Sequence, residues 1–138
     1  MKNNGETATE EISALIAAAW KAREQAYAPY SGFQVGAALQ CTDGSIFTGC
    51  NVENASYSMT ICAERSAIVQ AIAAGKQSFR SIAIVGGKTE AAANTTPCPP
   101  CGACLQVLAE FCDENFPILL TDGVHKLKEF LPNAFQLK

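Results

Sequence analysis

Three cysteines and one glutamate stand at spacings that suit catalytic metal chemistry. Cys62 is followed two residues later by Glu64, and two residues separate Cys101 from Cys104. Three thiolates, with sulfur about 2.3 Å from the metal, leave the fourth corner of a tetrahedron to water, which is the arrangement of a catalytic zinc site. Cys101 and Cys104 can face one metal across a single helical turn, whereas Cys62 must come from another segment. These residues predict a zinc ion that activates water.

The neighbours of Cys62 offer a proton carrier and a positive charge. Glu64 is the candidate general acid and base, because a carboxylate beside the metal but not bound to it can take a proton from water and pass it on. Three thiolates outweigh the two positive charges of zinc, so the cluster would carry net negative charge. We expect Arg65 to offset this charge, together with the positive ends of two helix dipoles.

The proline-rich segment before Cys101 fits the motif Pro-Cys-x-x-Cys in two frames. Residues 97–101 satisfy it with Cys98 and Cys101, and residues 100–104 satisfy it with Cys101 and Cys104. The second frame is favoured, because residues after Cys101 can enter a helix with free backbone N–H groups. The two prolines of the first frame have no N–H to offer a thiolate. Cys98 is then a spare thiol near the site.

Each of these residues also fits a simpler role. Free cysteines are often inert and buried, and a structural zinc site would need a fourth ligand, for which Cys98 is the candidate. Glu64 alone would be typical of a solvated carboxylate at a helix start. The remaining cysteines, Cys41, Cys50 and Cys112, are assigned to packing.

Apolar spacing and turn residues predict the elements that must position these residues. We expect helices over residues 9–27, with Thr9 as N-cap, 62–74 and 101–112. We expect strands over 33–41, 45–52, 81–85, 117–121 and 124–127, and a loop over 88–100. This order of elements predicts an α/β fold, a three-layer α/β/α domain with a five-stranded mixed sheet.

The composition indicates one domain without the charge of a nucleic-acid-binding protein. The chain has 138 residues, of which 49% are hydrophobic and 17% charged. We expect a single domain over residues 1–138, with residues 1–8 as a flexible tail. The net charge of −3 gives no basic footprint for nucleic acid.

The start of the chain is polar, and no apolar run reaches the roughly 20 residues of a membrane span. We therefore expect a cytoplasmic protein without a membrane partner. In that reducing compartment, the seven cysteines favour metal binding or catalysis over disulfides.

Longer motifs surround these residues: APYSGFQVGAAL at 28–39, GCNVENASY at 49–57, CAER at 62–65, PCGAC at 100–104 and LPNAF at 131–135. With these motifs, the chain resembles the small, homotetrameric, zinc-dependent cytidine deaminases. Zinc deaminases in general share the pairing of a Glu two residues after the first ligand with Pro-Cys-x-x-Cys. Several long motifs in order, spanning roughly residues 8–135, make this resemblance far more specific than the zinc signature.

The resemblance implies a role for each matching position. The zinc ligands would be Cys62, Cys101 and Cys104, the proton carrier Glu64, and the residue offsetting the thiolate charge Arg65. The substrate contacts would be Asn51 and Glu53 on the ribose 3′-hydroxyl, Phe33 on the base, the Ala63 backbone on the cytosine ring, and Phe135 closing the pocket of a neighbouring subunit.

The implied activity is hydrolytic deamination of cytidine and 2′-deoxycytidine, with release of ammonia, in pyrimidine salvage by a homotetramer with shared active sites. A deaminase of a modified cytosine nucleoside such as blasticidin S is the alternative, and a zinc-stabilised or thiol redox module without catalysis is a third hypothesis. The polar segment 51–54 favours the nucleoside, since a ribose hydroxyl suits a paired amide and carboxylate. The chain departs from the family pattern at Leu105, where family members commonly carry Arg. The change removes a positive charge that would affect subunit contacts or the electrostatics of the zinc site.

Overall fold

Helices and strands alternate along the residues that the structure, a computed structural model, describes: the backbone of residues 4–137 and the side chains of 8–137. The helices are α1 (Asn4–Arg23), α2 (Ala63–Ala73), α3 (Glu90–Thr95), α4 (Gly102–Phe111) and α5 (Leu127–Phe130). The strands are β1 (Gln34–Cys41), β2 (Ile46–Cys50), β3 (Phe79–Gly87), β4 (Pro117–Leu120) and β5 (Gly123–Lys126).

The strands form one mixed sheet in the order β2-β1-β3-β4-β5. β1 pairs antiparallel with both β2 and β3, and β4 pairs antiparallel with β5. β3 and β4 are parallel, with Ile82 opposite Ile118. The long connection through α3 and α4 allows this parallel pairing, because parallel strands need a crossover. The predicted five-stranded mixed sheet is confirmed.

Both faces of the sheet are covered, because side chains alternate along each strand. Toward α2 and α4 the sheet buries Ala37, Leu39, Ile82, Ile84, Ile118 and Leu120. Toward α1 it buries Ala38, Ala83, Val85 and Leu119, packed against Leu15 and Ala19. The near-continuous apolar run in β3 is typical of a central strand with helices on both sides. The three-layer α/β/α architecture is thus confirmed.

Helix α1 approaches the sheet closely at Gly36. A Cβ on Gly36 would lie 2.0 Å from the Ala19 carbonyl oxygen and 2.4 Å from the Arg23 nitrogen. The buried Arg23 side chain anchors the end of the helix, since its Nη2 donates to the Gly87 carbonyl oxygen at 2.7 Å. No helix within residues 4–137 is long and apolar enough to cross a membrane.

Three sequence predictions of local structure were wrong. Helix α1 begins at Asn4 rather than at Thr9, which lies inside it. The predicted loop 88–100 contains α3, whose first turn is capped by the Thr89 hydroxyl accepting from the Ala92 nitrogen at 3.0 Å. The last strand ends at Lys126, and α5 follows. The flexibility of residues 1–8 stays a prediction, and residues 1–3 lie outside the described part of the chain.

The close approach at Gly36 yields a stability prediction. Gly36→Ala should lower the free energy of unfolding by about 2 kcal/mol or more, because backbone atoms of α1 occupy the space of the new methyl group. The measurement is denaturant unfolding at one fixed protein and zinc concentration. Gly102→Ala is the control: its Cβ would meet nothing within 4 Å, so a change within about 0.5 kcal/mol is expected. Equal stability of the two variants would contradict the packing argument.

Candidate active site

The starts of α2 and α4 meet at three thiols. Cys62 is the N-cap residue of α2, and Cys101 is the N-cap residue of α4. Neither side chain caps its own helix, so both sulfurs are available for other partners. Cys104 lies one turn into α4 and is buried. The sulfur atoms of the three residues all lie within 4.8 Å of one another.

The separations of the sulfur atoms fit a shared metal ion. Cys62 Sγ is 3.7 Å from Cys101 Sγ, and Cys101 Sγ is 3.4 Å from Cys104 Sγ. Two sulfurs that are each about 2.3 Å from one tetrahedral zinc ion lie about 3.8 Å apart. A disulfide, by contrast, needs about 2.05 Å. Three soft thiolate donors at metal-sharing distances therefore suit zinc.

The proton distribution among the thiols is uneven. A hydrogen bond from Cys104, followed by a hydrogen bond and charge attraction from Arg65, lowers the pKa of Cys62 to about 5 despite partial burial. The hydrogen bond with Cys62, together with burial, raises the pKa of Cys104. The free N–H groups at a helix start also favour a thiolate. Cys62 is thus ionised at neutral pH even without a metal.

Glu64 lies in the first turn of α2, next to the thiols, and only 4% of it is exposed. Burial, with the negative charge of Cys62 adding to it, raises the pKa of Glu64 to about 7, although a hydrogen bond to Cys104 opposes the shift. A bound dication would also oppose it, because it favours the carboxylate. A buried carboxyl group tuned toward neutral pH can both accept and return a proton.

Arg65 lies on the same helical turn and faces the Cys62 sulfur. Its Nη2 is 3.6 Å from Cys62 Sγ and 3.5 Å from the Thr60 carbonyl oxygen. Its Nε is buried and has no hydrogen-bond partner among the described residues. The hydrogen bond to Cys62 raises the pKa of Arg65, so its positive charge is retained beside the thiolates.

Asn51 lies just beyond β2, and its side chain binds the backbone of residues 33–35, where β1 begins. Its Oδ1 accepts from the Val35 nitrogen at 2.8 Å, and its Nδ2 donates to the Phe33 carbonyl oxygen at 2.8 Å. The side chain is buried. These two bonds leave one N–H of the Asn51 amide free to donate.

Glu53 binds the turn that precedes Phe33. Its Oε1 accepts from the backbone nitrogens of Tyr30 and Ser31 at 3.0 and 3.1 Å, and its Oε2 accepts from the Ser31 hydroxyl. Asn51 and Glu53 therefore face the same loop, as their alternate positions predict.

The remaining predicted contact residues differ in their surroundings. Phe33 is partly exposed at 38%, Ala63 is fully buried at the start of α2, and Phe135 is exposed at 69%. The Phe135 carbonyl oxygen accepts from Gln106 Nε2 at 3.0 Å, which ties the C-terminal segment to α4. The exposed Phe135 ring is free to contact another chain.

Cys98 is partly buried against the core, and Leu105 is a buried member of it. A Cβ on Gly86 would be 2.8 Å from Cys98 Sγ, so the thiol packs against β3. Burial, together with the negative charges of Glu64 and Cys62, raises the pKa of Cys98 to about 11. Among the described residues, Cys98 does not belong to the sulfur cluster. Leu105 lies on α4 and is buried in the core.

The sequence alone did not predict that Ser31 contacts Glu53, although Ser31 lies inside the motif at 28–39. The signal was a small hydroxyl residue two positions before the aromatic Phe33, followed by Gly32, which adopts φ of 70°. Such a turn lets a serine side chain bond the backbone two residues later, and Phe33 nitrogen does donate to Ser31 Oγ at 2.9 Å.

A cavity of ≈ 450 Å³ lies elsewhere, between α4, α5 and the C-terminal segment. Its lining contains none of the predicted site residues; it includes Ala109, Cys112 and Leu131. The thiol cluster and Glu64 therefore lie outside this cavity.

The chain is similar to known proteins over most of its length. Residues 9–120 match the family described as cytidine and deoxycytidylate deaminase zinc-binding region. The cytidine deaminase of Sporosarcina psychrophila is 49% identical over 130 residues, 91% of this chain and 91% of that protein. The crystal structure of cytidine deaminase from Burkholderia pseudomallei has a TM-score of 0.79 at 49% identity, covering 89% of this chain and 98% of that one. Cytidine deaminase from Mycobacterium tuberculosis has a TM-score of 0.81 at 37% identity, covering 91% and 98%.

The thiol pKa values predict selective alkylation. In protein stripped of metal at pH 7, iodoacetamide should modify Cys62 well before Cys98 and Cys112, because only the thiolate reacts. Burial raises the pKa of Cys112 to about 12, whereas that of Cys62 is about 5. The rate at Cys62 should fall as the pH drops through about 5.

The measurement is peptide mass spectrometry over a labelling time course. The urea-unfolded chain serves as the control, in which the three thiols should react at similar rates. Equal labelling of Cys62 and Cys112 in the folded protein would show that the thiol cluster does not stabilise a thiolate.

Proposed function

This chain belongs to the cytidine and deoxycytidylate deaminase family with a zinc-binding region, and we propose that it hydrolyses cytidine and 2′-deoxycytidine to the corresponding uracil nucleosides. Ammonia is the second product. The observation that carries the proposal is the buried Glu64 carboxyl group directly beside three sulfurs at metal-sharing distances.

The cofactor in this proposal is Zn²⁺, held by Cys62, Cys101 and Cys104. The chemistry that bound zinc supplies is activation of water as a nucleophile near neutral pH. The sulfur separations and the soft donor set support this choice of metal. Arg65 offsets the negative charge that three thiolates leave over, and so keeps the site from repelling a nucleophile.

Glu64 is the proton carrier of the proposed reaction. Its carboxylate takes a proton from the attacking water and delivers it to N3 of the cytosine ring as the oxygen bonds to C4. The Glu64 carboxylate then takes the second proton from the new C4 hydroxyl and passes it to the amino group. The bond from C4 to nitrogen breaks, ammonia leaves, and the C4 oxygen becomes the carbonyl of the uracil product. Burial assists this role, because a dry carboxyl group with a raised pKa transfers protons in both directions.

Asn51 and Glu53 together suit recognition of a sugar hydroxyl. After its bonds to the 33–35 segment, Asn51 has one N–H left to donate. The Glu53 carboxylate has about four lone-pair sites, of which three already accept hydrogen bonds, so it can accept one more hydrogen bond. One donor and one acceptor match a single hydroxyl group, which both accepts and donates. The 3′-hydroxyl is present in ribose and deoxyribose, so the proposal includes both nucleosides.

The base would lie between Phe33 and the start of α2. Phe33 lies directly before β1, and its backbone is fixed by Asn51 and Ser31. Ala63 is the first residue of α2, so its N–H lacks an intrahelical partner and can donate to a ring substituent.

We also infer a homotetramer with shared active sites. An apolar surface is exposed beside the start of α2, and its members are Tyr27, Tyr30, Val52, Tyr57, Met59 and Ile61. Contiguous exposed apolar surface of this kind marks protein interfaces. Phe135, exposed and anchored to α4 through its backbone, would close the pocket of a neighbouring subunit.

The proposal places the enzyme in the cytoplasm, in pyrimidine salvage. None of the seven cysteines forms a disulfide, even though the sulfur atoms of Cys101 and Cys104 are 3.4 Å apart. Free thiols in such number are typical of a reducing compartment.

The function is tested by Glu64→Gln. Cytidine turnover should fall by about 10²–10⁴-fold, since the amide cannot carry the proton. Zinc content should stay at the wild-type level, because Glu64 is not a ligand. The measurements are ammonia release, chromatographic detection of uridine and elemental analysis of the purified protein.

Glu90→Gln is the matched control, because Glu90 is also a first-turn helix carboxylate but lies in α3 and is exposed. It should retain wild-type turnover. Near-normal activity of Glu64→Gln would remove the proton role from Glu64. A zinc-loaded wild type that deaminates blasticidin S but neither cytidine nor deoxycytidine would overturn the proposed substrates.

Shared sites predict complementation between two defective variants. Phe135→Ala should raise the KM for cytidine, because the ring closes a pocket on another chain. Mixed tetramers of Phe135→Ala and Glu64→Gln should recover sites with wild-type KM, in which Glu64 and Phe135 come from different chains. The measurement is the kinetics of co-refolded mixtures, with separately refolded variants as controls. Mixtures equal to the sum of the separate variants would contradict sharing.

A further inference from the structure

A chain of hydrogen bonds links the sugar-binding carboxylate to the loop that carries the aromatic residue of the site. Glu53 Oε2 accepts from the Ser31 hydroxyl, and Ser31 Oγ in turn accepts from the Phe33 nitrogen at 2.9 Å. The turn between them is closed by Gly32, whose nitrogen donates to the Ala28 carbonyl oxygen at 3.0 Å.

The two oxygens of Glu53 are held differently. Oε1 accepts from two backbone N–H groups, those of Tyr30 and Ser31. Oε2 accepts from one side chain, Ser31. A carboxylate held through Oε1 alone can turn about that oxygen, so the direction of the last lone pair depends on the bond to Oε2. The Ser31 hydroxyl is the only described group that bonds Oε2.

The charge state of Glu53 agrees with this arrangement. The Ser31 hydroxyl, then the Ser31 backbone nitrogen and the Tyr30 nitrogen, lower the pKa of Glu53. The Glu53 carboxylate is therefore ionised at neutral pH, and it can accept a hydrogen bond from a hydroxyl group. Hydrogen bonds to an ionised partner are also the stronger class.

We propose that Ser31 is a positioning residue for sugar recognition: its hydroxyl orients Glu53 Oε2 so that the remaining lone pair accepts the 3′-hydroxyl of the nucleoside. This inference rests on the proposed function. Ser31 itself touches neither the base nor the reacting atoms, and it acts through Glu53. The bond from Phe33 nitrogen to Ser31 joins the sugar-binding side of the site to the base-binding side.

The test compares two substrates in the zinc-loaded enzyme. Ser31→Ala should lower kcat/KM for cytidine by about tenfold, chiefly through KM, as expected for a weakened charge-assisted hydrogen bond. For 3′-deoxycytidine, which lacks the hydroxyl, the same substitution should change kcat/KM less than about twofold. Steady-state ammonia release gives both values.

Ser45→Ala is the matched control. Ser45 Oγ donates to Asp43 Oδ1 at 2.6 Å, and its nitrogen donates to the same oxygen at 3.0 Å. This is the same serine-to-carboxylate bond, but it lies in the β1–β2 turn. Its removal should leave both substrates within about twofold of wild type. Zinc content and thermal unfolding of both variants exclude general damage.

The outcomes separate the inference from the function it rests on. A zinc-loaded wild type without cytidine turnover would remove the proposed function, and the inference with it. If the wild type is active and Ser31→Ala lowers kcat/KM equally for both substrates, the inference alone is overturned. A general defect of the loop would affect both substrates, whether or not they carry the 3′-hydroxyl. Ser31→Ala in a Glu53→Ala background should add little to the loss on cytidine; a full additional tenfold loss would show that Ser31 acts independently of Glu53.

Discussion

The distance between three sulfur atoms is the constraint on which the rest of the structure depends. Two of them stand at the starts of different helices, so α2 and α4 must be held in register to within a fraction of an ångström. Both helices pack on one face of the sheet through a shared core. At Gly49, a Cβ would lie 2.5 Å from the Ala63 carbonyl oxygen, so β2 presses directly on the first turn of α2. Close packing transmits such placement faithfully, because interiors are nearly incompressible.

This geometry concentrates negative charge in a poorly solvated place. The thiols and the Glu64 carboxyl group share one site, and burial of charge is unfavourable unless it is offset. The local offsets are Arg65 and the free N–H groups of two helix starts, and in the proposed function a bound zinc ion would add to them. The same crowding that raises the pKa of Glu64 suits it to the proposed role of proton carrier. Stability and chemistry therefore oppose each other here, as is common at catalytic sites.

The residues proposed to bind the sugar are arranged on a different principle. Asn51 and Glu53 use most of their hydrogen-bonding capacity on the loop before β1, and what remains suits one hydroxyl group. A recognition group that is already bonded to the protein is pre-organised, so little ordering is required when a ligand binds. The same network fixes the backbone of Phe33, so the residues proposed to bind the sugar and the residue proposed to contact the base are connected by hydrogen bonds.

The sequence by itself determined the ligand spacing, the helix starts at Cys62 and Cys101, and the layered sheet, because these follow from local periodicity, turn residues and free N–H groups. It did not determine α3 or α5, which are short and stabilised by particular caps and neighbours rather than by a long apolar pattern. The preference for Cys101 with Cys104, which leaves Cys98 outside the cluster, also came from the sequence. Only the tertiary structure decided that Cys98 packs against β3 and that Ser31 bonds Glu53. Those outcomes depend on contacts between residues far apart in the chain, and spacing along one segment carries no information about such contacts.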